Sequence, residues 1–171
     1  MPVWPSKGSV ALKDDIIIVN LSENPTKYYL ELFQEDELEV ATKEEVYKIN
    51  LELDSPNYYY DMEVITKTDS GLIMKSNNVD PQISFTMDQK LNNDSFEYIL
   101  IQFESNVDGV MQLFLAQQNE SYGKFNGTIA VKKGINSIYC RKQVLMENVS
   151  SVRIDPPNNS SVILNNIEFI K

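Results

Sequence analysis

The chain of 171 residues has a net charge of −10, one cysteine and no histidine. Its length fits one domain, and an apolar content of 42% is enough to build a core. The lack of histidine excludes imidazole-based catalysis and imidazole metal ligands. One cysteine excludes an internal disulfide and a zinc site made of several thiolates. The excess of acidic residues argues against nucleic acid as a partner, because phosphate backbones are anionic.

The charge is distributed unevenly along the sequence. Residues 1–95 carry 18 acidic and 8 basic side chains, whereas residues 96–171 carry 7 of each. The densest acidic stretch, residues 31–45, is typical of a solvated loop or short helix, and the alternatives are a cation site or a docking surface. Six bases and one acid lie between residues 124 and 153. They form either a basic patch for an anionic ligand or scattered surface charges.

The N-terminal part of the sequence lacks the features of a membrane or secretory segment. The longest aliphatic run, Ile16–Val19, is too short for a membrane-spanning helix, and no charged patch followed by an apolar stretch marks a signal peptide. Residues 1–9 read as a linker or cloning remnant. The bias towards asparagine, lysine and isoleucine is typical of an AT-rich bacterial genome. We therefore expect a module cut from a larger bacterial protein, whose cellular location the sequence does not give.

Short runs rich in valine, isoleucine, tyrosine and phenylalanine alternate with clusters of turn residues, which predicts a β protein. The predicted strands are Ile16–Leu21, Tyr28–Phe33, Val46–Leu53, Tyr58–Thr66, Gly71–Lys75, Gln82–Met87, Tyr98–Glu104, Gly109–Ala116, Gly127–Val131, Asn136–Arg141, Ser151–Ile154 and Ser161–Ile170. This number of strands indicates an all-β fold, an antiparallel sandwich or barrel. One short helix is allowed near residues 29–47, where apolar residues partly follow a helical period.

Two neighbouring strands show the clearest alternation. Ile99, Ile101 and Phe103 share one face of the first strand and are expected to meet the core. The next strand repeats the pattern. Between them, the segment Ser105–Gly109 contains an Asp-Gly pair, which tolerates positive φ angles, and predicts a hairpin.

The second half of the chain carries a recognisable order of elements. They are the strand Tyr98–Glu104, the Asp108–Gly109 turn, the strand Met111–Leu115, a loop with Tyr122 and Phe125, the Gly134–Asn136 turn, the segment Val152–Pro156 and the closing strand Asn166–Ile170. This order resembles the galactose-binding-domain-like jelly roll. That fold is widespread among carbohydrate-binding modules of bacterial glycan-active and polysaccharide-synthesising proteins. The resemblance is best over residues 96–171.

The resemblance implies a domain organisation and a function. Residues 46–171 are expected to form the β-sandwich module, and residues 10–45 an acidic N-terminal extension that packs on the sandwich or links it to a neighbour. The implied function is non-catalytic binding of an oligo- or polysaccharide. The alternative is a protein–protein docking or structural domain that positions an adjacent catalytic domain. We do not expect catalysis; a glycoside hydrolase using two carboxylates is the residual alternative.

Sugar recognition needs flat aromatic faces together with planar amides and charged groups. Tyrosines 58 and 60 fall on one face of a strand, and the loop of residues 119–126 combines aromatics with asparagines. Arginine adds a bidentate donor. The predicted ligand-binding residues are Tyr58, Tyr60, Tyr122, Phe125, Asn126, Arg141 and Arg153. The alternative is that the aromatics are packing residues of the sandwich and that Arg153 pairs with a carboxylate within the sheet.

No contiguous calcium-binding loop is present, so we predict no metal site from the spacing of ligands. Jelly-roll modules of the kind that this chain resembles often carry a structural calcium. Asp108, Asp155 and Glu168 are the weak candidates for its ligands. We expect the lone thiol, Cys140, to be a buried structural residue.

Overall fold

The computed structural model describes residues 9–13, 16–20, 28–35, 44–52, 55–77, 79–92, 94–117, 121–141 and 148–171. These residues form 15 strands. Their bounds are β1 Ser9–Lys13, β2 Ile16–Asn20, β3 Tyr28–Tyr29, β4 Glu31–Gln34, β5 Glu45–Lys48, β6 Tyr58–Tyr60, β7 Met62–Thr68, β8 Gly71–Ser76, β9 Gln82–Asn92, β10 Tyr98–Ser105, β11 Gly109–Ala116, β12 Phe125–Val131, β13 Gly134–Arg141, β14 Asn148–Asp155 and β15 Ser161–Ile170. Within these ranges, no helix has the length and apolarity that crossing a membrane requires.

The strands form two large sheets. One sheet has seven strands in the order β4-β13-β10-β15-β8-β7, with β5 also paired to β15, and the other has six in the order β3-β12-β11-β14-β9-β6. β1 and β2 pair with each other. The inner faces of both large sheets contribute to one apolar core. The prediction of an all-β antiparallel sandwich is confirmed.

The predicted alternation fixes which side chains enter the core. Ile99, Ile101 and Phe103 of β10 are buried, as are the alternating apolar residues of β11. β10 is buried on its other side as well, because Leu100 joins a smaller apolar cluster with Tyr139 on the outer face of the seven-stranded sheet. A strand buried on both faces carries apolar residues at consecutive positions.

The segment 105–109 does not form the predicted hairpin. β10 belongs to the seven-stranded sheet and β11 to the six-stranded sheet, so the turn carries the chain from one sheet to the other. Gly109 is required there for close packing, since a Cβ at this position would lie 2.6 Å from the Cβ of Pro157. The Asp-Gly pair therefore marked a turn correctly, but not the pairing of the strands beside it.

The short helix expected near residues 29–47 is absent from the described part of that range, and residues 36–43 lie outside it. Tyr28–Tyr29 and Glu31–Gln34 are instead strands, paired with β12 and β13. The amide of Leu30 donates to the carbonyl of Asn126 at 2.6 Å, at the point where the chain passes between the sheets. Hydrogen bonding to two existing sheet edges outweighs the weak helical period. These strands belong to the predicted N-terminal extension, and its boundary at residue 45 falls within β5.

The strand predicted at residues 58–66 is broken at Asp61. This residue has a φ angle of 50°, and it separates β6 of the six-stranded sheet from β7 of the seven-stranded sheet. Its Oδ2 accepts hydrogen bonds from the amides of Val79, at 2.8 Å, and Asp80, at 3.2 Å. Asp61 thus ties the β6–β7 turn to the β8–β9 loop. An aspartate tolerates the left-handed conformation better than most residues.

Cys140 is completely buried in β13, as expected for a structural thiol. Burial raises the pKa of this thiol far above its ordinary value, and the negative charge of Glu31 raises it further. The thiol is therefore neutral and unreactive in the folded protein.

Candidate functional site

The outward positions of the six-stranded sheet bring polar and aromatic side chains together. In antiparallel pairs, directly opposite residues project to the same side. The register places Tyr58 opposite Ser84, Ser84 opposite Arg153, Arg153 opposite Phe114, and Phe114 opposite Asn126. We call these five residues the outer row. Neighbouring strands lie about 4.8 Å apart, so the outer row spans about 19 Å across five strands.

A second row of outward residues runs beside the outer row. Tyr60 lies opposite Gln82 on β9, while Gln112 of β11 lies between Asp155 of β14 and Thr128 of β12. The two rows together cover the side of the six-stranded sheet that faces away from the core. From here on, 'the outer face' means this side of the six-stranded sheet. It presents two tyrosines, two glutamines, a charged pair and a phenylalanine, which is an arrangement of ring faces and planar polar groups.

Arg153 lies near the centre of the outer face and is held from two sides. Its Nε and Nη2 donate to Oδ1 and Oδ2 of Asp155 at 2.7 and 2.6 Å. Its Cζ lies 4.5 Å from the centroid of the Phe114 ring. The Arg153 and Asp155 side chains are 20% and 8% exposed. A bidentate pair with this geometry fixes the guanidinium plane and leaves part of it at the surface.

The ionisation of this pair reflects burial and charge together. Burial lowers the pKa of Arg153, but the hydrogen bonds and negative charge of Asp155, with smaller contributions from Asp80 and Tyr58, outweigh it and raise the pKa. Burial raises the pKa of Asp155 above its ordinary value, and the arginine offsets this only in part. The arginine therefore stays charged, and the pair loses its ionic character in acid through protonation of Asp155.

A second carboxylate lies next to the pair. The loop amides held by Asp61 include that of Asp80, and the Asp80 side chain accepts a hydrogen bond from Nε2 of Gln82 at 2.5 Å. The negative charge of Asp80 contributes to raising the pKa of both Arg153 and Asp155. With one cation and two carboxylates, this part of the outer face carries no excess of positive charge.

The two tyrosines lie at the edge of the sheet, on its last strand. Tyr58 and Tyr60 are 50% and 56% exposed. Tyr59, between them, is similarly exposed but projects to the opposite side of the strand. The rings of Tyr58 and Tyr60 are thus accessible beside the charged pair.

The structure places the predicted ligand-binding residues in four different regions. Tyr58, Tyr60, Arg153 and Asn126 share the outer face, although Asn126 is almost fully buried. Tyr122 is half-buried in the loop before β12. Arg141 is exposed at the end of β13, in the other sheet.

Phe125 is 0% exposed and belongs to the core. The expectation that its ring forms part of a rim platform is therefore wrong. β12 begins at Phe125, and the phase of this strand directs Phe125 inward and Asn126 outward. The sequence reasoning missed the outward residues of the two central strands, namely Gln112, Phe114 and Asp155. The alternation along β11 and β14 could have identified them, because the residues that alternate with them are apolar core residues.

The bases that the structure describes between residues 124 and 153 do not form one patch. Lys132 and Lys133 precede β13, Arg141 ends it, and Arg153 lies on the other sheet. Lys142 is outside the described residues. The alternative of scattered surface charges describes this region better than a single anion-binding patch.

Each of the three candidate calcium ligands binds a protein group. Asp108 Oδ1 accepts from the amide of Lys133 at 2.7 Å, Asp155 pairs with Arg153, and Glu168 binds Lys48 Nζ at 3.0 Å. Among the residues that the structure covers, no three acidic or cysteine side chains are grouped as a metal site would require. Neither the expected lack of a metal site nor the alternative of a structural calcium is tested by this arrangement.

Comparison with solved structures shows the fold. A family 29 carbohydrate-binding module from Piromyces equi has a TM-score of 0.51 and 16% identity, covering 77% of this chain and 91% of that one. A variant of a second family 29 module has a TM-score of 0.56 and 10% identity, covering 75% and 91%. Another variant, complexed with cellulohexaose, has a TM-score of 0.54 and 10% identity, covering 75% and 90%. No family model and no curated protein matches the sequence.

The matches span most of the sandwich, and they confirm the resemblance to the jelly roll of carbohydrate-binding modules. At identities of 10 to 16%, the likeness concerns the fold.

Proposed function

We propose that the outer face binds an oligo- or polysaccharide and that the protein is a non-catalytic carbohydrate-binding module. The observation that carries the proposal is the position of Arg153. It is fixed between Phe114 and Asp155, in the same row as Tyr58. A prearranged donor beside exposed aromatic rings lets a ligand bind without first ordering the site.

The chemistry of the face matches that of a sugar chain. Tyrosine rings pack against the apolar face of a pyranose, whereas guanidinium, carboxylate and amide groups exchange hydrogen bonds with its hydroxyls. From Tyr58 to Phe114 the outer row covers three strand spacings, about 14 Å. This length holds several sugar rings in line. An elongated ligand is thus favoured over a single small one.

The charge of the outer face favours a neutral glycan. The guanidinium of Arg153 is already neutralised by Asp155, and Asp80 adds a further negative charge nearby. An anionic polysaccharide would meet this excess of negative charge as well as a protein with a net charge of −10. Neutral chains avoid that repulsion.

The neighbouring structures add support. One is a complex with cellulohexaose. Two others are variants, made to probe ligand recognition, in which an arginine or the aspartate two positions after it is replaced by alanine. Arg153 and Asp155 have the same spacing in this chain. From the resemblance to carbohydrate-binding modules alone, we also propose that the module serves a neighbouring catalytic domain in a glycan-active protein.

The test is binding to a panel of neutral and anionic polysaccharides, measured by affinity electrophoresis and by titration calorimetry with soluble oligosaccharides. Tyr58→Ala and Tyr60→Ala should each weaken binding about fivefold, since a stacked aromatic ring contributes about 1 kcal/mol. Tyr59→Ala is the matched control, because its side chain leaves the strand on the other side, and it should bind normally. A folded protein that binds no glycan would contradict the proposal and favour the docking alternative.

A further inference from the structure

A polar pocket, called here the end pocket, lies at one end of the sandwich and shares no lining residue with the outer face. Its volume is about 380 Å³. It is formed where the end of β8, the β10–β11 turn and the β14–β15 loop meet. The lining residues are Lys75, Ser76, Asn77, Asn106, Asn159, Ser160 and Ser161.

The floor of this end pocket is built from two buried serines. The amide of Ser76 donates to the carbonyl of Ser160, and the amide of Ser160 donates to Oγ of Ser76, both at 2.8 Å. Both hydroxyls lie 2.7 Å from the carbonyl oxygen of Pro157, to which they donate. Ser76 and Ser160 are 2% and 1% exposed. Because the polar groups of the floor are mutually satisfied, the floor is rigid and the rim residues provide the groups that can bind a ligand.

Three asparagines form the rim. Asn106 is fixed to Ser161 by two hydrogen bonds. Its backbone amide donates to the carbonyl of Ser161 at 3.1 Å, and its side-chain Oδ1 accepts from the backbone amide of Ser161 at 2.7 Å. This arrangement leaves Nδ2 of Asn106 as a donor that no described residue uses. The other two asparagines are joined to each other, because the backbone amide of Asn159 donates to the carbonyl of Asn77 at 2.9 Å.

The backbone at the rim is also specialised. Asn159 has a φ angle of 54°, and within the described residues it is one of two non-glycine residues in this left-handed region. The other, Asp61, accepts from the amide of Asn77 through its backbone carbonyl at 2.8 Å. Both unusual conformations therefore serve to hold the same rim.

We infer that the end pocket is a second binding site that accepts the hydroxyl groups of one or two sugar residues. Asparagine amides both donate and accept, and so match adjacent hydroxyls, which do the same. The volume falls at the lower end of the range of about 300–1,000 Å³ for small-molecule pockets. The lining contains no aromatic ring, so the ligand is held by hydrogen bonds and not by stacking. This inference does not depend on glycan binding at the outer face.

The experiment is a titration followed by ¹H–¹⁵N correlation spectra of the intact chain. The probes are D-glucose, D-xylose, D-galactose, D-mannose, cellobiose and D-glucuronate. We expect shifts of backbone amides in residues 75–77, 106 and 159–161 with at least one neutral probe. Asn106→Asp keeps the acceptor for the Ser161 amide and removes the donor. Asn159→Gly removes a side chain without straining a left-handed backbone. Each substitution should weaken the affinity of the end pocket for the sugar probe at least tenfold.

The controls separate this site from the outer face. Tyr60→Ala should leave the response of the end pocket unchanged, and Asn159→Gly should leave polysaccharide binding at the outer face unchanged. Shifts confined to the outer face, or no shift with any probe at saturating concentration, would overturn the inference without affecting the proposed function. Binding of glucuronate alone, abolished in Lys75→Gln, would overturn the assignment to hydroxyl groups.

Discussion

Arg153 lies over the ring of Phe114, with its Cζ 4.5 Å from the ring centroid. The two residues are directly opposite each other on β14 and β11. Asp155 completes the arrangement through two hydrogen bonds. A charge that is stacked on one side and paired on another has few conformations available, so its position is set before any ligand arrives.

Replacing Arg153 by lysine should reduce both stability and glycan binding. Lysine keeps the charge but cannot form two parallel hydrogen bonds with Asp155 or stack on Phe114 as a plane. We expect Arg153→Lys to lower the free energy of unfolding by about 1–2 kcal/mol and glycan affinity by about tenfold. Urea unfolding and calorimetric titration measure the two effects. Arg141→Lys is the control, since Arg141 is exposed on the other sheet, and equal losses in both variants would contradict the assigned role.

The stability contributed by Glu168 should depend on pH. Burial alone would raise its pKa, but hydrogen bonds with Asn166 and Lys48 and the charge of Lys48 outweigh burial and lower the pKa below its ordinary value. The contribution is therefore fully present above the ordinary carboxyl pKa and is lost as pH falls through the lowered one.

Glu168→Gln should accordingly lower the free energy of unfolding at neutral pH, and the difference from wild type should shrink in acid. Lys48 is 49% exposed, so the effect should be under about 1 kcal/mol. Denaturant titrations at neutral and acidic pH measure it. Glu104→Gln, at an exposed position of β10, provides the control. A difference in the free energy of unfolding that grows in acid would contradict a lowered pKa for Glu168.

The thiol of Cys140 should be inert in the native protein. It is fully buried and its pKa is raised by burial. We expect no reaction with a disulfide reagent such as Ellman's reagent under native conditions and one equivalent of thiol in denaturant. The time course of absorbance after mixing measures this. Rapid native labelling would show that β13 opens locally.

Gly109 should not tolerate a side chain. A Cβ there would lie 2.6 Å from Pro157, whereas a Cβ at Gly123 would have no neighbour within 4 Å. We expect Gly109→Ala to destabilise the protein by about 1–3 kcal/mol through overpacking. Gly123→Ala should be neutral or slightly stabilising. Thermal unfolding compares the two, and similar melting temperatures would contradict the packing argument.

Local patterns predicted the strands well and their partners poorly. The bounds Gly109–Ala116 and Ser161–Ile170 were predicted from alternation and turn residues alone, and both agree with the structure. The chain's change of sheet at Asp61 and at residues 105–109 was not foreseen. An Asp-Gly turn fits a hairpin and a crossing between sheets equally well, and the choice depends on contacts such as that of Gly109 with Pro157.

The candidate site was partly predictable for the same reason. Two tyrosines at alternate positions of one strand were recognised because their relation is local. The grouping of Tyr58 with Arg153 and Phe114 needs the order β6-β9-β14-β11, which joins strands far apart in sequence. Phe125 was misplaced because the predicted strand began two residues too late, at Gly127. The inward direction of Phe125 was therefore not considered.

The order of strands also governs how the chain reaches this structure. β4 pairs with β13 about a hundred residues later, and β5 and β10 both pair with the last strand. Pairing strands that are far apart in sequence closes a long loop, and the entropy of the chain is lost before the new contacts compensate for it. Refolding from denaturant should therefore proceed over milliseconds to seconds. The strand β15 bridges β10, β8 and β5, so the seven-stranded sheet is complete only once these distant segments have come together.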